Sequence, residues 1–327
     1  MKVNNQPFLH TTLFLVIVYF GFLILSTTPD YNLAAYSQNQ SSSFQAEVNA
    51  IDNMSAQRVK VGDIDMAYKK LGNESSDIPI ILIAGGGTTM DMWSPTLLKD
   101  LSSNQTVIIF DNRGAGESTM GTRGFSISQF ANDTAGLLDA LKIDKADVFG
   151  HSMGSFIAQE LALMSPERIN SLVLSGSSCG GRDAIPPSRE VMKVMETIAG
   201  SINSSSPVRE ESFVSLLFPS NWLKANPDYQ NYMPIPKESV SPRVLQFQFE
   251  AIMNWDGICA ELSNIIQPTL VIVGTEDIFA PAGNSLMIVN KIPSAWLVQI
   301  KDAGHGLMNQ YPDQFNRIIS TFLDIVK

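Results

Sequence analysis

From Pro79 onward, short apolar runs alternate with longer segments whose apolar positions recur at helical spacing. The runs are "PIILIAGGG", "TVIIF" (Thr106 to Phe110), "DVFG", "INSLVLSG" (Ile169 to Gly176), "TLVIVG" (Thr269 to Gly274) and "AWLVQI" (Ala295 to Ile300). Runs of this length, apolar throughout, predict strands buried on both faces of a parallel sheet. Between them, "SISQFANDTAGLLDALKI" opens on a serine suited to cap a helix. The segment from Met153 to Met164 stops before Pro166. The segment from Pro312 places Phe315, Ile318, Ile319, Phe322, Leu323 and Val326 on one helical face. Strand and helix in alternation predict an α/β fold with a mostly parallel sheet. Ahead of it, Gln57 to Val61 and Ile64 to Lys70 predict a hairpin across Gly62-Asp63.

Two regions break the alternation. From about Arg182 to Leu262 no strand pattern is evident, and eight prolines (Pro186, Pro187, Pro207, Pro219, Pro227, Pro234, Pro236 and Pro242) separate helix-like pieces. This predicts a helical insertion over the C-terminal edge of the sheet, or else a second layer of core. It holds Phe213, Phe218, Trp222, Tyr229, Tyr232, Phe247, Phe249 and Trp255, with Met192, Met195, Met233 and Met253. At the other end, Leu13 to Leu25 is unbroken apolar sequence behind Lys2, followed by small and polar residues. Residues 1–37 are therefore expected to be an export signal cleaved after Ser37, or a retained membrane anchor, with the remainder outside the cytoplasm. Residues 38–55, rich in Ser, Asn and Gln, predict a flexible linker. The folded domain is then 56–327.

Length and composition agree: 327 residues, 44% of them apolar and 17% charged, suffice for one large domain. A formal charge of −10 without a basic cluster excludes nucleic acid as a natural partner. Two cysteines, Cys179 and Cys259, can form a bridge in an exported chain or remain as two buried thiols. With three histidines in the whole chain, no metal centre and no cofactor is implied.

The chemistry centres on "DVFGHSMGS". Ser152 lies between Gly150 and Gly154, after a strand and at the start of a helix, the context that separates a nucleophile elbow from a chance match. A serine hydroxyl needs a base. His10 falls in the leader, and His151 is expected to point away across the sharp turn, which leaves His305 in "DAGHG". Its carboxylate partner is Asp277 in "VGTEDIFAP", with Glu276 the near alternative. Backbone N–H groups of Met153 and of "AGGGTT", from Gly86, are placed to form an oxyanion hole.

The set "ILIAGGGTTMDMW", "FDNRGAGEST", "LLDALKIDKADVFGHSMGS", "VGTEDIFAP" and "DAGHG", in this order from about Arg58 to Lys327, resembles the α/β-hydrolase superfamily in its fold-1 branch. The resemblance implies an eight-stranded, mostly parallel sheet with helices on both faces and a helical cap at about 182–262. It also implies Ser152 as nucleophile, Asp277 as acid, His305 as base, Gly86 and Met153 as the oxyanion pair, and "DNRGAG" as a structural loop beside them. Two departures stand out: Ala84 replaces the usual histidine of the oxyanion loop, and Ser155 a usual glycine. A serine nucleophile disfavours dehalogenase and epoxide hydrolase chemistry. The expected activity is hydrolysis of an uncharged, hydrophobic carboxylic ester. Carbon–carbon, amide or imino-peptide hydrolysis, perhydrolysis, or ligand binding without catalysis are the alternatives.

Overall fold

The computed structural model describes residues 46, 49–51, 53–72, 78–200, 213–234 and 237–327. The leader Leu13 to Leu25 and its cleavage position lie outside these residues, as does most of the 38–55 stretch. The described end of that stretch is less free than its composition suggests, since Ile51 and Met54 pack against the core. Among the described residues no helix is long and apolar enough to cross a membrane.

The apolar runs form strands almost where their pattern places them. β1 (Gln57–Val61) and β2 (Ile64–Leu71) make the hairpin, with Gly62 at φ +56° in its turn. β3 (Ile80–Ile83), β4 (Val107–Phe110), β5 (Ala146–His151), β6 (Ile169–Ser175), β7 (Thr269–Gly274) and β8 (Ala295–Ile300) complete one eight-stranded sheet. Its order is β1-β2-β4-β3-β5-β6-β7-β8. β3 to β8 are mutually parallel, and β2 runs antiparallel to both β1 and β4. β8 departs from the expected burial on both faces. It is the sheet's edge, and Trp296 on it is 44% exposed.

Among the described residues the labelled helices are α1 (Pro95–Asn104), α2 (Ile127–Ala140), α3 (Met153–Met164), α4 (Arg189–Gly200), α5 (Ser220–Ala225), α6 (Pro242–Met253), α7 (Ala282–Lys291), α8 (Leu307–Gln310) and α9 (Pro312–Val326). The predicted serine cap is present: Ser126 Oγ accepts the Gln129 N–H at 3.0 Å and starts α2. The apolar stripes of α2, α3 and α7 bury Phe130, Leu137, Ile157, Leu161 and Ile288 on one face of the sheet. Those of α1 and α9 bury Leu97, Leu98, Phe315, Ile319 and Phe322 on the other. Strands without polar alternation demand this two-sided cover.

Because β3 connects to β4 on one side and the chain then crosses to β5 on the other, a crevice opens at the C-terminal ends of β3 and β5. Over it lie α4, a helical turn at 213–217 and α6, while α5 lines a groove outside it; all four lie between β6 and β7. A disulfide joins Cys179 to Cys259, so the two ends of this insertion are tied across a sequence separation of 80. Beside the crevice, Arg113 is fully buried and binds Asp63 in the hairpin turn at 2.9 Å and Asp133 on α2 at 2.7 Å. The guanidinium holds the Asp63 carboxyl far below the usual carboxylate range.

Closing a loop of this length by a covalent bond limits the unfolded chain and contributes about 2–4 kcal/mol. Reduction, or Cys179→Ser, is expected to lower the urea midpoint of unfolding by a corresponding amount. Identical midpoints with and without reductant would show that the bridge does not form in solution.

Candidate functional site

Ser152 stands between β5 and α3 with φ +53° and ψ −123°, a conformation that costs a non-glycine residue and persists only where its surroundings enforce it. They do so by contact. A Cβ on Gly154 would strike the Ile83 carbonyl of β3, and one on Gly150 would strike the Gly154 carbonyl. The elbow is further pinned by the Ser152 N–H bonding to Ser175 O at 2.9 Å. Ser155, the residue that departs from the family pattern, takes part in this: its Oγ donates to the Ser152 carbonyl at 2.6 Å and lies 2.8 Å from Ser177 Oγ.

His305 follows β8 in the loop before α8. Its Nδ1 lies 2.8 Å from Asp277 Oδ2, and both side chains are buried. The other oxygen, Asp277 Oδ1, accepts the Phe279 and Ala280 N–H groups at 2.9 and 2.8 Å. The carboxylate is thus fixed by its own turn after β7. The structure separates the two candidate carboxylates: Glu276 is exposed and faces an outer groove with Trp222 and Tyr311. The histidine loop is clamped by the insertion, where the Gly306 N–H bonds to Leu217 O at 2.9 Å. The Phe218 ring lies where a Gly306 side chain would be.

One expectation is corrected. His151 does not point away from the site. Its ring centroid is 4.9 Å from that of His305, it lines the same cavity, and its Nδ1 lies 3.2 Å from Ser175 Oγ. The positive φ at Ser152 turns the backbone one residue after His151, so the imidazole stays on the crevice side. Enclosure, with His305 as a second cause, pushes its pKa well below the ordinary 6.5 and keeps it neutral near neutral pH. Phe279, whose ring centroid is 4.8 Å from that of His305, carried no signal in the sequence.

The loop after β3 is held at four points. Asn112 Nδ2 donates to Ala84 O at 3.2 Å, and Thr88 Oγ1 to Gly85 O at 2.8 Å. The Gly87 N–H donates to Gln248 Oε1 on α6 at 2.8 Å, and the Met90 N–H to Asp111 Oδ1 at 2.8 Å. Asp111 also accepts the Glu117 N–H at 2.9 Å. Its burial pushes its pKa up to about 6 against the pull of these hydrogen bonds. "DNRGAG" therefore braces the glycine turn without entering the cavity. Gly86, Ser152 and His305 line one cavity of about 120 Å³, closed over by Met195, Ile198, Phe213, Leu245, Phe249 and Ile252. Met153 is fully buried directly behind Gly86. Of the other aromatics of the insertion, Phe218 stacks on Trp222 within it, whereas Phe247 packs on Phe125 and Trp255 lies on Phe156 of α3, outside it, with its Nε1 donating to Glu160 at 2.7 Å.

The arrangement is shared with known proteins. A profile of the α/β hydrolase fold matches residues 78–309. RutD of Azorhizobium caulinodans, named as a carbamate hydrolase, is 29% identical over 80% of this chain and 96% of its own. BpoC of Mycobacterium tuberculosis, named as a non-heme bromoperoxidase, is 28% identical over 81% of this chain and 99% of its own. The crystal structure of a hydrolase from Pseudomonas aeruginosa PA01 superposes with a TM-score of 0.69 at 28% identity, covering 82% of this chain and 98% of that one. With a match over most of its length and the eight-stranded sheet to go with it, the chain belongs to the α/β hydrolase fold family.

Proposed function

We propose that the protein is a serine hydrolase of uncharged, hydrophobic carboxylic esters. The observation that carries the reading is the Asp277–His305 hydrogen bond facing the same cavity as the strained Ser152. In this reading Ser152 Oγ attacks the ester carbonyl and passes its proton to His305 Nε2. Asp277 holds the Nδ1–H and so fixes which ring nitrogen is free to act as base. The carbonyl oxygen becomes the oxyanion of a tetrahedral intermediate and is met by the N–H groups of Gly86 and Met153. As the C–O bond breaks, His305 returns the proton to the departing alcohol. Water then attacks the acyl group on Ser152 by the same route, which releases the acid and restores the serine.

The walls favour an uncharged, apolar substrate. Among the described residues no Lys or Arg lines the cavity, which leaves a carboxylate substrate uncompensated, and Phe213, Phe249, Leu245 and Ile252 suit an apolar acyl chain. The relatives named for carbamate hydrolysis favour a second substrate type for the same attack, in which a carbamate carbonyl takes the place of the ester.

A fluorophosphonate should label Ser152 and no other residue. Ser152→Ala, His305→Ala and Asp277→Asn should each retain the circular dichroism of the parent while losing on the order of 10³-fold or more in kcat. A His305→Ala variant of near-normal rate would remove the proposed base. Glu276→Gln should stay close to the parent; a loss matching that of Asp277→Asn would move the acid one residue earlier.

Across p-nitrophenyl acetate, butyrate, hexanoate and octanoate, kcat/KM should rise by up to about fourfold per buried methylene, or ~0.8 kcal/mol. It should then level off once the small cavity is full. A strict preference for acetyl, or for a charged acyl group, would contradict the apolar pocket; faster turnover of the matching phenyl carbamates would favour the second substrate type.

We also propose export, supported by the apolar run Leu13 to Leu25 and by the Cys179–Cys259 bridge, since disulfides persist in oxidising compartments. N-terminal mass spectrometry should find a start near Gln38, or an intact Met1 in the membrane fraction. A full-length chain in the soluble cytoplasm would refute both.

A further inference from the structure

The inserted helix α6 presents Leu245, Gln248, Phe249 and Ile252 to the catalytic cavity. Three of these are apolar. Gln248 is not, and it is fully buried. Its Oε1 accepts the Gly87 N–H, and because a backbone N–H can only donate, this bond fixes which end of the amide is which. The NH₂ end is therefore the end not bonded to the glycine turn. Among the described residues Nε2 has no acceptor. Burying an amide donor without a partner costs about 1–3 kcal/mol, and native structures retain few such groups without a reason. A leucine or methionine would fill the same space at no such cost.

From this geometry we infer that Gln248 is a specificity-determining residue whose Nε2 donates a hydrogen bond to the substrate. The substrate is thereby an ester that carries a second acceptor oxygen, as an ether, carbonyl or hydroxyl group, on the part lying under α6. The inference rests on the reading of Ser152 as nucleophile and narrows its substrate class: an apolar chain with one acceptor rather than a plain alkyl chain. The same side chain links recognition to chemistry. Oε1 braces the turn that contains Gly86, so a substrate oxygen that orders the Gln248 amide also steadies the proposed oxyanion donor one residue before Gly87.

The test separates the two ends of the amide. Loss of the Oε1 brace slows every substrate alike, whereas loss of the Nε2 donor slows only substrates that use it. kcat/KM is measured for p-nitrophenyl pentanoate and for its oxygen isosteres, ethoxyacetate and 3-methoxypropanoate. Butyl pentanoate and 2-methoxyethyl pentanoate probe the alcohol side. Each is assayed with the parent, Gln248→Leu and the length-matched Gln248→Met, after circular dichroism has shown which variants fold. In at least one series the ratio of ether to alkyl substrate should fall about tenfold from parent to variant, the size of one neutral hydrogen bond. Ratios unchanged in both series, with all rates lowered together, would reduce Gln248 to a brace and overturn the proposal. If the parent turns over none of these esters, the esterase reading fails instead. The donor is then read from the rates at which butyl and 2-methoxyethyl fluorophosphonates label Ser152. A preference for the ether probe that Gln248→Leu abolishes supports the donor, and equal rates overturn it. No labelling at all removes the nucleophile and the inference with it.

Discussion

The site depends on one close approach, that of the start of α3 to the end of β3. Gly154 lies so near the Ile83 carbonyl that no side chain fits between them, and Gly150 meets the Gly154 carbonyl in that same first turn almost as closely. This contact lets the chain leave β5 and enter α3 without an intervening loop. The residue at the bend must take up the change of direction, and it does so at φ +53°. Ser152 is thereby held at the helix N-terminus, where unpaired N–H groups favour negative charge. The same approach sets Met153 behind Gly86, so the proposed nucleophile and both proposed oxyanion donors are placed by a single packing event. Relaxing it would misplace all three together.

Around this fixed point the remaining groups are held by elements far away in sequence. Asp277 is oriented by its own turn after β7 and His305 by the loop after β8, and they meet because those strands are neighbours in register. The inserted helices do more than cover them. Leu217 bonds the backbone of the histidine loop, and Gln248 bonds the glycine turn after β3. Both the proposed base and the proposed oxyanion turn thus lean on the insertion, whose two ends are joined by the disulfide. A change in cap position would be felt in catalytic geometry as well as in substrate fit.

Much of this was legible in the chain. Unbroken apolar runs need cover on both faces, so the parallel sheet and its flanking helices follow from pattern alone. Where a strand is an edge the rule weakens: β8 reads as apolar but for Gln299 and is partly open to solvent along its length. The order of Ser152, Asp277 and His305 was readable because each follows a strand end, and strand ends converge in this topology. The choice between Asp277 and Glu276 was not. Adjacent residues differ in the sequence by one position but in the fold by direction, and only the turn that binds Asp277 Oδ1 shows which carboxylate turns inward.

Local pattern and steric constraint determined the strands, the elbow and the serine cap of α2. These are short-range matters, settled within a few residues by periodicity, by glycine and by chain direction. Tertiary structure alone decided the rest. It turned His151 into the cavity beside His305, paired Cys179 with Cys259, and divided the aromatics of the insertion between the cavity wall and contacts outside it. It also brought Gln248 onto the Gly87 N–H from 161 residues away. No local pattern encodes such pairings, because each is fixed by which distant surfaces can be packed together without leaving polar groups buried and unpaired.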